Sequence, residues 1–158
     1  MGKELKTNAM RFLDRCKIGY AVQTYQCDEF VDGIHVAEKL GQPLEETFKT
    51  LVARGKSGTY YCFEVPVAQE LDLKKAAKSV NEKSVELIPV KEITKVTGYV
   101  RGGCTPVGMK KQFVTVIHKS AEDMPLFYIS GGRIGTQIRL SPKELAEAIN
   151  GRFEDIVL

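Results

Sequence analysis

Three kinds of residue in this chain could do chemistry: a lysine inside an apolar strand pattern, two glycine-rich segments, and a cysteine within one of them. Lys49 lies in Phe48-Lys49-Thr50-Leu51-Val52-Ala53, where strand alternation puts it on the same face as Leu51 and Ala53. Such a lysine either snorkels to solvent at the sheet rim or is a cation held over a cavity, suited to a phosphate or a polarised carbonyl. Arg101-Gly102-Gly103-Cys104-Thr105-Pro106-Val107-Gly108 places three glycines and a proline in eight residues. Paired glycines let a backbone approach a ligand closely, and successive N–H groups can form a nest for an anion; a wide surface turn is the alternative. Ser130-Gly131-Gly132-Arg133-Ile134-Gly135 follows a strand pattern and has the same character. Turns need one or two glycines, so the two segments together are expected to line one ligand site.

Other candidates carry less. Cys104 has no histidine near it in sequence, and the only two, His35 and His118, build no Ser-His-Asp arrangement. It is expected to be an inert thiol and not a nucleophile. Gly55-Lys56-Ser57 lacks the glycine that a phosphate-binding loop requires five positions earlier, where Thr50 stands; it reads as a turn. Cys16, Cys27, Cys62 and Cys104 show no CxxC spacing and are expected to be free. Neither histidine lies near a cysteine pair, so no metal and no cofactor are expected.

The elements that must position these residues follow from periodicity. Leu5, Ala9, Phe12, Leu13 and Cys16 repeat as an amphipathic helix. Residues 20–25 alternate as a strand, and Ile34, Ala37 and Leu40 share a short helix face that Gly41 can end. Residues 48–54 and 59–65 read as a hairpin around Gly55-Lys56-Ser57-Gly58. Leu73, Ala76, Ala77 and Val80 give a helix with Asp72 as N-cap. Residues 85–88, 113–117 and 126–129 read as strands, and 91–96 as a helical turn before Gly98. Ser141-Pro142-Lys143-Glu144 is a capping box with proline at the first helical position. It opens a helix faced by Leu145, Ala148 and Ile149 and closed by Gly151, and residues 153–157 form a last strand. The expected fold is α/β (α+β), a mixed, partly closed β-barrel flanked by helices.

Bulk properties narrow the function. A length of 158 residues without repeat or linker fits a single domain, residues 1–158. No apolar run approaches the ~20 residues that span a bilayer, and Met1-Gly2-Lys3-Glu4-Leu5-Lys6 opens no apolar signal segment. A cytoplasmic protein with no membrane partner is expected. A net charge of +3 is small for a protein that coats DNA, yet suits one stretch of phosphate backbone. Lys74, Lys75 and Lys78, and separately Lys110 and Lys111, cluster in a way that a solvated helix face and a charged loop also explain.

Phe48-Lys49-Thr50-Leu51, Pro66-Val67-Ala68 before Leu71-Asp72-Leu73-Lys74-Lys75-Ala76-Ala77, Thr97-Gly98-Tyr99-Val100 running into the block from Arg101 to Lys111, and Ser130-Gly131-Gly132 together resemble the YbaK family. These are free-standing aminoacyl-tRNA editing proteins, similar to the editing insertion of bacterial prolyl-tRNA synthetase. The likeness runs from about residue 9 to 157. It implies the editing-domain fold and deacylation of Cys-tRNA(Pro), with Cys-tRNA(Cys) as a second substrate. The chemistry it implies is substrate-assisted: the cysteinyl thiol attacks its own ester carbonyl and leaves as a thiolactone. Partners implied are the aminoacylated 3′ end of tRNA and prolyl-tRNA synthetase. By position, Lys49 would hold the terminal phosphate or ester, Gly103 would supply a backbone N–H, and Ser130 a hydroxyl, with Tyr25 an aromatic hydroxyl beside the pocket. Phe30, Thr50, Gly102, Gly131 and Gly132 would contact substrate. Gln137 stands where some relatives carry Asp, so a carboxylate role there is replaced by an amide. Two other readings stay open: a deacylase for another mischarged tRNA such as Ala-tRNA(Pro), and a module that binds an aminoacyl end or nucleotide without turnover.

Overall fold

In the computed structural model, which describes residues 6–26 and 32–158, the strands form two sheets that meet at one bridge. The larger sheet starts from the hairpin. β2 (Phe48–Gly55) and β3 (Tyr60–Pro66) pair antiparallel with Thr50 opposite Glu64 and Val52 opposite Cys62. The turn between them is closed by Gly58 N–H to Gly55 O at 2.9 Å, with Gly58 at φ 93°. β4 (Val85–Leu87) joins β2 antiparallel, while β5 (Val114–His118) and β8 (Arg152–Glu154) add parallel strands beyond β3, giving the order β4-β2-β3-β5-β8. The smaller sheet is antiparallel, β1-β7-β6, from β1 (Ala21–Thr24), β6 (Phe127–Arg133) and β7 (Thr136–Leu140).

Helices cover both faces of the larger sheet. α3 (Leu73–Ser79), capped by Asp72 accepting from Lys74 and Lys75 N–H, packs Ala76 and Ala77 over Phe63, Val65, Val116 and Ile156. On the opposite face, α1 (Asn8–Arg15) and α5 (Pro142–Ile149) enclose the main core with the smaller sheet: Leu13, Phe48, Ile117, Phe127, Ile129, Leu140 and Leu145. Because strand alternation divides β3, Phe63 and Val65 face α3 while Cys62 and Glu64 face the interior. α2 (Gly33–Leu40) starts at Asp32, which accepts from His35 N–H, and ends at Gly41 in the left-handed region at φ 69°. α4 (Ile93–Thr97) leads into the glycine-rich stretch.

The structure changes four expectations. The two sheets are joined by the Thr47–Tyr128 bridge and do not close into a barrel. Ser130-Gly131-Gly132-Arg133 is not a loop but the end of β6, and β7 follows it, a strand the glycines hid. Asn150, at φ 56°, closes α5 in place of Gly151; asparagine is among the few side chains that tolerate this conformation. The last strand is Arg152–Glu154, shorter and earlier than residues 153–157. Among the described residues no helix is long and apolar enough to cross a membrane.

Thr7 ties the first helix to the glycine segment. Its hydroxyl donates to Gly131 O at 2.6 Å and accepts from Met10 N–H at 3.2 Å, capping α1. Thr7→Val keeps the shape and leaves both backbone groups without this partner, so it should cost about 1–2 kcal/mol in urea unfolding. Thr7→Ser should retain most of that stability.

Candidate functional site

The larger sheet leaves part of β2 uncovered. β4 pairs with β2 only at Ala53–Gly55, and the smaller sheet touches the chain at Thr47. Between these points the edge of β2 pairs with no described strand. Val52 O accepts from Ile88 N–H on this side at 3.0 Å, so the two-residue repeat of the strand turns Thr50 N–H and C=O to the same open edge.

A cavity of about 510 Å3 lies along that edge. Its apolar wall comes from Ile34 and Val36 of α2, Leu51, Val67, Leu87, Ile88, Val90 and Ile93. Its polar side is where the sequence candidates gather: Tyr25, Lys49, Thr50, Gly102, Ser130 and Gln137 all line it, with Arg101 and Cys104. Ser130 and Gln137 sit opposite each other in the β6–β7 register, which brings residues from two sheet strands to one spot. Both are under a tenth exposed.

Lys49 is half-buried, its ammonium 3.4 Å from Val67 O. Burial lowers its pKa, and the Glu70 charge partly opposes this. It is therefore a cation poorly supplied with solvent, which an anionic ligand would complete. Ser130 Oγ accepts from Gly132 N–H at 3.2 Å, leaving its own hydrogen to donate. Thr50 Oγ1 and Gln137 Oε1 are buried without a protein partner. Buried polar atoms are normally satisfied, so these two mark where a ligand or water would bind.

The glycines divide. Gly102, at φ 85°, lines the cavity. Gly103 does not: its N–H donates to Val100 O at 2.9 Å, so the donor role expected of it is already engaged inside the turn. Gly103 is instead a close-approach glycine, since a Cβ there would lie 2.8 Å from Arg133 Cα. The two glycine-rich segments thus touch each other there. Gly131 and Gly132 are likewise packing positions, under Thr136 and against Thr7, and do not line the cavity. Phe30 lies outside the described residues. Sequence reasoning missed the apolar wall and also missed Glu64, a carboxyl buried behind Thr50.

Cys104 reaches the cavity wall, but burial pushes its thiol up to about 12. It is a neutral thiol at physiological pH, in agreement with the sequence expectation. His35 is engaged by Asp32 at 2.8 Å, and His118 accepts from Ile156 N–H at 3.4 Å; neither lines the cavity.

The model of the aminoacyl-tRNA editing domain matches residues 32–148, about three quarters of the chain. The chain belongs to the aminoacyl-tRNA editing domain family. A curated Enterococcus faecalis protein named "Putative Cys-tRNA(Pro)/Cys-tRNA(Cys) deacylase EbsC" is 40% identical over 152 residues, covering 96% of this chain and 93% of its own. Among solved structures, a "putative trans-editing enzyme for prolyl tRNA synthetase" has a TM-score of 0.84 at 24% identity, covering 98% of this chain and 99% of its own. A hypothetical protein has a TM-score of 0.87 at 23% identity over 96% of this chain and 99% of its own. These two likenesses establish the fold, which is the mixed α/β fold of editing proteins.

In this editing domain a thiol titrating at about 12 has only ~1 in 10,000 molecules ionised at pH 8. Iodoacetamide at pH 8 should therefore label the exposed Cys16 and leave Cys104 unlabelled until the chain is unfolded, as read by peptide mass spectrometry.

Proposed function

We propose that this editing domain is a deacylase for Cys-tRNA(Pro), and for Cys-tRNA(Cys), in which the substrate's own thiol is the nucleophile. The observation that carries the reading is the cavity's inventory: a half-buried ammonium and unpartnered polar atoms line it, while the one thiol among its described residues is held neutral. Such a site can position and polarise an ester but offers, among the described residues, no activated protein nucleophile. The name of the Enterococcus faecalis relative supports the same substrate. A cavity of about 510 Å3 has room for an aminoacyl group and the sugar that carries it, while the tRNA body stays outside.

The step balances within the substrate. The cysteinyl sulfur bonds to the ester carbonyl carbon, the carbon–oxygen bond to the terminal ribose breaks, and the thiol proton passes to the departing ribose oxygen. The products are a thiolactone and free tRNA, so the reaction is an intramolecular acyl transfer, lyase-type in its outcome because no water is consumed, and not a hydrolysis. Lys49 holds the negative charge of the terminal phosphate or developing oxyanion. Thr50 N–H at the open β2 edge takes the backbone-donor role that Gly103 cannot fill. Ser130 and Gln137 orient the aminoacyl end, Tyr25 and Gly102 close the site, and the aliphatic wall excludes water. Prolyl-tRNA synthetase belongs to the proposal as the cytoplasmic partner that delivers tRNA(Pro), since the contacts described here reach only the 3′ end.

The test compares tRNA(Pro) charged with cysteine or alanine, with and without the synthetase. Cysteine should be released and alanine retained, because a methyl group cannot attack the ester; equal release would identify a hydrolytic editor of broader range. Binding without release would identify a binding module. Lys49→Ala should lower the rate by about a hundredfold if the ammonium faces charge made only in the transition state. The wild-type rate should fall as pH rises through the Lys49 pKa, at a lower pH than an exposed lysine would give, because the active form is the ammonium.

A further inference from the structure

Glu64 is the one carboxylate in the hairpin's interior, and nothing in the chemistry above uses it. It sits in β3 directly opposite Thr50 in β2, so the two side chains share a face with Cβ atoms about 5 Å apart. Glu64 is 0% exposed, and neither carboxyl oxygen has a hydrogen-bond partner. Thr50 Oγ1, on the cavity side of the pair, also has none. Two polar groups within reach of each other, both otherwise unsatisfied, can satisfy one another only if one is a donor and the other an acceptor.

We propose that Glu64 is a positioning residue for Thr50: its carboxyl O–H donates to Thr50 Oγ1 from beneath the cavity, which turns the threonine's own hydrogen towards the bound aminoacyl end. The surroundings require the neutral acid. The titratable groups that meet Glu64 are Cys62 beside it on β3 and Cys104 from the glycine-rich stretch. Neither is a cation, and Lys49 leaves β2 on the opposite face. Burial accordingly pushes the Glu64 carboxyl well above the usual carboxylate range, and the nearby Thr50 hydroxyl, which lowers it, is the smaller effect. A carboxylate there would leave both oxygens charged in an apolar interior, whereas the acid has one hydrogen to give and one hydroxyl opposite to take it. Stability does not call for this residue, since an unbranched apolar side chain would fill the same space without burying a polar group.

The proposal rests on the deacylase reading only for its kinetic readout; the spectroscopic one stands without it. Infrared spectroscopy of the full chain at pH 7 should show a protonated carboxyl band that is absent from Glu64→Gln. That band should move to higher frequency in Thr50→Val, where the accepting hydroxyl is gone. An ionised Glu64, or a band that Thr50→Val leaves in place, would overturn the proposal. In single-turnover deacylation of Cys-tRNA(Pro), Glu64→Met should lower the rate about tenfold while its Tm equals or exceeds that of wild type. Glu64→Gln, whose amide N–H can still donate, should stay within about threefold of wild type. Glu64→Met added to Thr50→Val should cause no further loss, because the two act through one contact. A Glu64→Met enzyme of wild-type rate, or independent losses in the double variant, would count against Glu64 alone. Wild-type inactivity towards every charged tRNA would count against the deacylase reading alone.

Discussion

The site depends on a pairing that stops short. β2 is held on one side by β3 along its whole length, but on the other side only by β4 at its C-terminal end and by the Thr47–Tyr128 bridge just before its start. Among the described residues the edge between them has no strand partner, and unpaired edges are surfaces to which something else binds. α2, the β4–α4 segment and the glycine-rich stretch stand around it and convert an open ladder into a cavity. Had the two sheets closed into a barrel, Thr50 would have spent its backbone groups on a neighbouring strand.

Around that opening the chain accepts costs that a purely structural core would avoid. Gln137 Oε1 is buried without a protein partner, Thr50 Oγ1 and the Glu64 carboxyl are buried with no partner beyond each other, and Lys49 is half-desolvated. Departures of this kind are expected where function, and not packing, selects the side chain. Their arrangement has a direction: the cation and hydroxyls face the cavity, and the carboxylic acid sits behind them. Among the described residues no group there is an activated nucleophile, which is the observation that the proposed attack by the substrate's own thiol builds on.

Local chemistry in the sequence was sufficient for most of the fold. The caps at Asp72 and Ser141, the Gly41 stop and the hairpin turn depend on neighbours within four residues, and each is where its residue types place it. β7 was not legible, because Ser130-Gly131-Gly132 looks like a loop when the packing that requires glycine comes from Thr136, Ile138 and Thr7. The barrel expectation failed for a related reason: strand identity does not reveal which edges stay unpaired. That Lys49, Thr50, Ser130 and Gln137 come together was legible through the family's motif order, and they line one cavity. Gly103 was not legible in its actual role, since only the folded structure shows that its N–H is engaged and that the Arg133 backbone leaves no room for a Cβ there. Glu64 had a faint signal. A hairpin register set by Gly55-Lys56-Ser57-Gly58 places it opposite Thr50, but a glutamate in a strand reads as solvent-facing until both faces are known to be covered.

The central claim is that the substrate's thiol, and not the protein or an activated water, breaks the ester. Replacing cysteine by serine on tRNA(Pro) changes one atom and keeps the size, so it isolates that claim. Ser-tRNA(Pro) should compete with Cys-tRNA(Pro) for the cavity and remain charged through many wild-type turnovers of the cysteinyl substrate. Release of serine at a rate matching cysteine would contradict thiol attack and place a water or protein nucleophile in the cavity.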